Sequence, residues 1–123
     1  MSIRTERVAR LVQREVAQLL NTTFHDSQDL MATVTGVRIT RDLSIAHVYV
    51  SCLGETVESR QKAFDSLVEL TPRIRHKMAG RIRHQVRYIP EIRFLLDESL
   101  TEATRIEELL EVARREREEH GDV

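Results

Sequence analysis

The sequence predicts a single α+β domain in which helices pack against one face of a three-stranded sheet. Three observations support this fold class. The chain has 123 residues, enough to bury a core of its own. Apolar residues recur with helical spacing in four segments and alternate with strand spacing in three. The order of these segments along the chain is α-β-β-α-α-β-α.

The first helix is predicted from about Arg4 to Leu20, where apolar residues recur every fourth position at Val8, Val12, Val16 and Leu20. At about 100° per residue, four arginines fall within an arc of roughly 120° beside that stripe. They are Arg4, Arg7, Arg10 and Arg14. Leu11 falls inside the same arc, and simple amphipathicity does not explain an apolar residue there.

Two strands are predicted next, over residues 31–40 and 44–52. The second alternates cleanly, with one face formed by Ala46, Val48, Val50 and Cys52. The stretch from Thr40 to Leu43 is short enough for a hairpin, and Gly36 indicates a bulge in the first strand. The only cysteine, Cys52, shares the apolar face, so we interpret it as a buried packing residue rather than a nucleophile.

A second helix is predicted from about Val57 to Leu70, with a stripe formed by Ala63, Phe64, Leu67 and Val68. Thr71 is predicted to cap a third helix and Pro72 to be its first residue, because proline loses no needed hydrogen bond there. Pro72 also disfavours helical geometry at Thr71, so the two helices should meet at an angle. The third helix must end before Pro90.

The third helix is predicted to bury one stripe and to expose cations elsewhere. At 100° per residue the stripe consists of Ile74, Met78, Ala79, Ile82 and Val86. Seven cationic or titratable side chains share the outward arc: Arg73, His76, Lys77, Arg81, Arg83, His84 and Arg87. Arg75 lies on the apolar side, so it must reach solvent along its stem or find a carboxylate or backbone partner.

A third strand is predicted over Glu91 to Leu96, with Ile92, Phe94 and Leu96 on one face. A last helix then begins with a capping box from Ser99 to Glu102. Its apolar stripe is Ala103, Ile106, Leu109, Leu110 and Ala113, and its charged end is predicted to be solvated and frayed. We therefore divide the chain into a domain of residues 1–98 and a C-terminal helix of residues 99–123.

The net charge of −1 conceals a segregated distribution. Residues 71–93 hold seven basic and one acidic side chain, whereas residues 94–123 hold four basic and ten acidic ones. Solvated helix faces usually mix signs, since like charges at close helical spacing repel each other. A polyanion would relieve that repulsion, which favours a nucleic acid partner. An acidic protein surface docked by the basic helix, and a solvated face without a partner, are the alternatives.

The composition indicates how nucleic acid would be bound. Only Tyr49 and Tyr88 are candidates for base stacking, and no glycine pair has the GxxG spacing of a backbone clamp. Phosphate contacts remain, and these favour folded RNA recognised by its shape. The predicted RNA-binding residues are Arg4, Arg7, Arg10, Arg14, Arg73, His76, Lys77, Arg81, Arg83, His84 and Arg87.

The sequence does not indicate an enzyme, a metal site or a cofactor. His76 and His84 are about 80° apart on a helix, unlike the i, i+4 histidines of a helical metal site. Neither a glycine-rich phosphate loop, a nucleophile elbow nor a CxxC pair occurs. No apolar run reaches the roughly 18 residues of a membrane span and no signal peptide pattern opens the chain, so we expect a cytoplasmic protein.

Four pieces of the chain together resemble the bacterial ribosome-binding factor A family over about residues 4–112. They are Arg7-Val8-Ala9 with Glu15-Val16-Ala17, Val34-Thr35-Gly36-Val37 with Thr40-Arg41-Asp42-Leu43-Ser44, Ile74-Arg75, and Arg87-x-x-Pro90-Glu91-Ile92-x-Phe94 with Asp97-Glu98-Ser99. Where the family commonly has an Ala-x-Gly kink, this chain has Leu70-Thr71-Pro72, and we expect the proline to preserve the bend.

The resemblance implies a type II KH-like fold and a function in ribosome assembly. It implies binding to the immature small (30S) ribosomal subunit near the future decoding region, and help with late maturation of 16S rRNA, notably in the cold. The implied partners are the small subunit, its 16S rRNA and its small-subunit ribosomal proteins. We expect the protein to be a monomer.

Overall fold

The computed structural model describes residues 2–24, 32–97, 110–115 and 117. Its elements are α1 (Ile3–Asn21), β1 (Ala32–Ile39), β2 (Ile45–Cys52), α2 (Val57–Glu69), α3 (Thr71–Ile82) and β3 (Glu91–Leu96). This order confirms the predicted α+β architecture and is the one implied for a type II KH-like fold.

The three strands form one sheet in the order β1-β2-β3. β1 and β2 are antiparallel, whereas β2 and β3 are parallel, so the chain crosses from β2 to β3 through α2 and α3. Val34 pairs with Val50 and Gly36 with Tyr49, which leaves Thr35 as an extra residue in β1. This register shift confirms the bulge predicted from Gly36.

The turn between β1 and β2 is held by Asp42. Its carboxylate accepts hydrogen bonds from the hydroxyls of Ser44 and Thr40, each at 2.7 Å, and from the Ser44 backbone N–H at 3.1 Å. The Ser44 and Thr40 hydroxyls lower the pKa of Asp42 below its ordinary value. The next residue, Leu43, has a left-handed φ of 62°, unusual for leucine, and packs against the edge of the core.

The core lies between the sheet and the three helices that cover one of its faces. Every second residue of β2 is buried, and these residues are Ala46, Val48, Val50 and Cys52. Burial raises the pKa of the Cys52 thiol, which agrees with its interpretation as a packing residue. In α2, Ala63 and Leu67 are buried, but Val68 is 44% exposed, so its assignment to the buried stripe was wrong.

The junction between α2 and α3 differs from the prediction that Thr71 is a helix cap. Leu70 is the only residue between the helices, and its backbone is helical, with φ −83° and ψ −4°. Its N–H donates to the Leu67 carbonyl at 3.0 Å, and its own carbonyl accepts from the Ile74 N–H at 2.9 Å. Because Leu70 ends one helix and begins the next, Thr71 is already helical and α3 has no side-chain cap.

α3 ends at Ile82. The sequence predicted a longer helix, because its buried stripe included Val86. Arg75 explains why the chain turns. Its guanidinium donates to the Ile89 carbonyl at 3.0 Å and to the Pro90 carbonyl at 3.1 Å. A helix continued to residue 89 would carry that carbonyl about 20 Å beyond Arg75. Of the three predicted possibilities for Arg75, the structure shows the backbone partner. These contacts require residues 83–90 to fold back along α3.

The C-terminal helix is described only in part. Residues 110–115 are helical, and Leu110 and Ala113 of its predicted stripe are exposed. The predicted capping box at Ser99 and Glu102, and the other stripe residues, lie outside the described residues. The division of the chain at residues 98 and 99 therefore stays a prediction.

Candidate nucleic-acid interface

The first contribution to the interface comes from α1, which begins at an N-cap. The Ser2 hydroxyl accepts from the Thr5 N–H at 3.2 Å, which satisfies one of the free donors at the helix start. Along the helix, buried residues such as Val12 and Val16 face the core. The four predicted arginines are all exposed: Arg4, Arg7, Arg10 and Arg14. The structure therefore leaves these four arginines accessible to a partner, and their contact with RNA stays a prediction.

α3 runs beside α1 in the opposite direction. Near the start of α3, the Arg73 guanidinium lies 5.6 Å from the centroid of the Phe24 ring, just beyond the end of α1. One residue before the end of α3, Arg81 lies 3.4 Å from the Glu15 carboxylate, in the middle of α1. The chain that follows α3 therefore returns toward the arginine-rich N-terminal half of α1.

Glu15 is an acidic residue on α1 that lies between two of the predicted RNA-binding arginines. It is only 8% exposed, and its carboxylate lies 3.4 Å from Arg81 and 3.5 Å from Arg14. A buried carboxylate requires such partners. Arg81 and Arg14 thus have a structural contact as well as an exposed face. Sequence reasoning missed this pair because Arg81 is 66 residues from Glu15.

Between α1 and residues 85–88 lies a groove of about 880 Å³, which we name the arginine groove. Its cationic side chains are Arg4, Arg7, Arg10, Arg14 and Arg87. Its apolar side chains are Ile3, Val8, Leu11, Leu43, Val86 and Tyr88, and Gln85 completes the lining. Among the described residues, no carboxylate lines it. Leu11, which amphipathicity did not explain, contributes to the apolar part of this groove.

Tyr88 stands at this groove as an accessible aromatic ring. It is 70% exposed, and the Arg87 guanidinium lies 5.7 Å from the centroid of its ring. Such a separation is typical of a cation–π contact. The other tyrosine, Tyr49, is half-buried in β2 and pairs with Gly36 across the sheet. The structure thus distinguishes the two aromatic candidates and brings only Tyr88 to the arginines.

The structure corrects the prediction that seven cationic groups share one helix face. Only four of them lie on α3, where Arg73, Lys77 and Arg81 follow at four-residue steps. His76 instead lines a second groove of about 750 Å³ between α3 and β3, together with Arg75 and Glu91. The other three follow the helix end, at Arg83, His84 and Arg87. All eleven predicted RNA-binding residues are exposed.

This arrangement suits the binding of an extended polyanion. Guanidinium groups donate two hydrogen bonds to a phosphate, and a row of them follows a nucleic acid backbone without reading its sequence.

Within the part of the chain that the structure describes, no group of three or more His, Cys, Asp or Glu residues could hold a metal ion. Among the same residues, no helix is long and apolar enough to cross a membrane.

Comparison with known proteins gives consistent matches. The family model described as Ribosome-binding factor A matches residues 4–110. A curated relative from Chlorobium luteolum, named Ribosome-binding factor A, is 43% identical over 116 residues, covering 94% of this chain and 96% of the relative.

Two structures of other proteins are also similar. One is the solution NMR structure of a Thermotoga maritima protein described as a ribosome binding factor A, with a TM-score of 0.64 and 26% identity over 80% of this chain and 92% of that one. The other is a Thermus thermophilus ribosome binding factor A homology model fitted into the cryo-EM map of a 30S complex. Its TM-score is 0.56, with 26% identity over 72% of this chain and 89% of that one.

Proposed function

The chain belongs to the ribosome-binding factor A family, and on that premise we propose that it is an assembly factor that binds the immature 30S ribosomal subunit. The Thermus thermophilus relative was fitted into the map of a 30S complex. We further propose that this chain assists late maturation of 16S rRNA in the cytoplasm without catalysing a reaction itself. Growth in the cold would then depend on it more than growth at moderate temperature.

The observation that carries this proposal is the exposed cationic surface formed by α1, α3 and residues 85–88. The arginine groove lies at one end of it, and the step-four row of Arg73, Lys77 and Arg81 continues it along α3. Phosphates of 16S rRNA are the partner that such a surface fits, because each contact releases counterions from the RNA. Small-subunit ribosomal proteins would lie at its margins.

A charge-reversal variant tests this assignment. Arg7→Glu, Lys77→Glu and Arg87→Glu together reverse three exposed cations on α1, on α3 and beside Tyr88. We expect this triple variant to lose co-sedimentation with isolated immature 30S particles while keeping its thermal melting curve. Arg81 is left unchanged, since a glutamate there would face the buried carboxylate of Glu15.

The matched control is Arg38→Glu, Lys62→Glu and Arg117→Glu, which makes the same change in net charge at exposed positions outside the surface. It should co-sediment like the unchanged protein. For binding to protein-free 16S rRNA, the slope of log affinity against log salt should fall by about 2 to 3 in the first variant, at roughly 0.7–0.9 per lost phosphate contact. A folded first variant that still co-sediments fully would refute the assignment of this surface.

A further inference from the structure

The arginine groove has a composition that phosphate contacts alone do not explain. A surface that meets only the backbone of folded RNA needs exposed cations and no apolar floor. Half of the side chains that line this groove are apolar, and Leu11, Leu43 and Val86 pack against the edge of the core. The groove therefore presents cations and a water-excluding floor to the same ligand.

We propose that the arginine groove binds an unpaired nucleotide of single-stranded RNA. Its base lies on the apolar floor against Tyr88, and its own and neighbouring phosphates pair with the α1 arginines. This proposal rests on the proposed function and specifies the kind of RNA that one part of the cationic surface takes.

Tyr88 supplies the stacking surface. Tyr88 is 70% exposed while the Arg87 guanidinium lies 5.7 Å from its ring centroid, so a base on the accessible face of the ring would extend an existing guanidinium–ring contact. Gln85 lines the same groove, and its amide offers both a donor and an acceptor to the edge of a base. Together they form a site for a flat ring with polar edges.

The cations suit the remainder of a nucleotide. All five are arginines. A planar guanidinium can pair with phosphate and can also stack on a ring, whereas the ammonium of lysine pairs with phosphate but does not stack. From Arg4 to Arg14 they follow α1 for about 15 Å, so they can meet successive phosphates along a strand. The groove volume of about 880 Å³ lies within the roughly 300–1,000 Å³ of ligand sites.

The experiment uses the tyrosines as reporters. The chain contains no tryptophan and two tyrosines, so Tyr49→Phe leaves Tyr88 as the only strong emitter. This protein is titrated with an unstructured RNA heptamer and with an abasic ribose-phosphate heptamer of equal charge. We expect the RNA to quench Tyr88 emission and to bind about 5- to 150-fold more tightly than the abasic strand, the range that base–aromatic stacking gives.

A substitution separates the base from the phosphates. The Tyr88→Ala variant should bind both heptamers with the same affinity, equal to the weak affinity of the protein with Tyr88 for the abasic heptamer. Its melting curve should be unchanged because Tyr88 is exposed. Leu53→Ala, at an exposed apolar position after the far end of β2, is the control and should keep the preference for RNA. Equal affinity of the Tyr49→Phe protein for the two strands, or unchanged Tyr88 emission on binding, would overturn the proposal.

Two further measurements show which of the two proposals a negative result contradicts. Co-sedimentation with immature 30S particles is measured on the same protein. If it persists while the heptamers are not distinguished, the nucleotide site is refuted and the proposed function stands. If it is absent, the proposed function fails independently. A synthetic acidic peptide of residues 99–123 that displaces the RNA heptamer at lower concentration than unlabelled RNA would assign the groove to a protein segment instead.

Discussion

The tetrapeptide Arg-Ile-Arg-His occurs at residues 73–76 and again at 81–84, and its two copies have different structures. The first copy lies wholly within α3, whereas α3 ends in the middle of the second, after Ile82. The two isoleucines are equivalent, since both are fully buried. The two inner arginines are not, since Arg75 binds two carbonyls and Arg83 is exposed in the turn.

The difference shows that tertiary contacts, rather than the local sequence, determine the role of each position. The first copy is flanked by Phe24 on one side and by the returning segment at Pro90 on the other. The second copy meets Glu15 through its first arginine and then leaves the helix. The two copies of the motif therefore contribute to one cationic surface, and only Arg75 of the first copy holds the returning chain through the Ile89 and Pro90 carbonyls.

The largest effects are expected at the two isoleucines, where the copies should behave alike. Ile74→Ala and Ile82→Ala should each lower the free energy of unfolding by about 2–5 kcal/mol, because each removes a fully buried side chain and leaves a cavity. Urea denaturation followed by circular dichroism measures both. A loss below about 1 kcal/mol for Ile82→Ala alone would show that the end of α3 is not packed in solution.

The next effect should separate the two copies. Arg75→Ala should lower the free energy of unfolding by about 1.5–3 kcal/mol, because it removes the charged donor to the Ile89 and Pro90 carbonyls. Arg83→Ala is the matched control and should change it by no more than about 0.5 kcal/mol. Arg75→Lys should fall between them, since an ammonium does not reproduce the forked contact. Equal losses for Arg75→Ala and Arg83→Ala would contradict this account of the turn.

Most of the fold follows from local patterns in the sequence. The alternation of Ala46, Val48 and Val50 sufficed to predict β2 and its buried face, because strand periodicity is a property of neighbouring residues. The need of Arg75 for a partner was also predictable, since its angle on the helix placed a cation on the apolar side. Its partners were not, because they depend on how the chain folds back 14 and 15 residues later.

The candidate site was predictable in its composition but not in its shape. Val86 continues the helical periodicity of Ile82, so the sequence pattern alone favours a helix that the structure ends at Ile82. That longer helix would have kept Arg87 and Tyr88 on α3 rather than beside α1. Leu11 was the one local sign of a groove, as an apolar residue among arginines, but its counterparts Leu43 and Val86 come from distant parts of the chain.

The smallest effect concerns the first arginine of each copy. Arg81→Ala should lower the free energy of unfolding by about 1 kcal/mol, because Glu15 is buried and, among the described residues, keeps only Arg14 as an ion-pair partner. Arg73→Ala, which removes an exposed cation–π contact with Phe24, should cost about 0.5 kcal/mol. A double-mutant cycle with Glu15→Gln isolates the Arg81 contribution.

In that cycle Glu15→Gln should reduce the effect of Arg81→Ala and leave the effect of Arg73→Ala unchanged, since Arg81 contacts the Glu15 carboxylate whereas Arg73 contacts the Phe24 ring. Additivity of the Arg81 and Glu15 changes would mean that their 3.4 Å contact contributes nothing to stability. Arg81 would then be free for RNA, and the second copy would present its first arginine to phosphate as openly as Lys77 does. A coupled pair instead means that RNA must compete with Glu15 for Arg81, which makes Lys77 and Arg87 the stronger phosphate contacts of this surface.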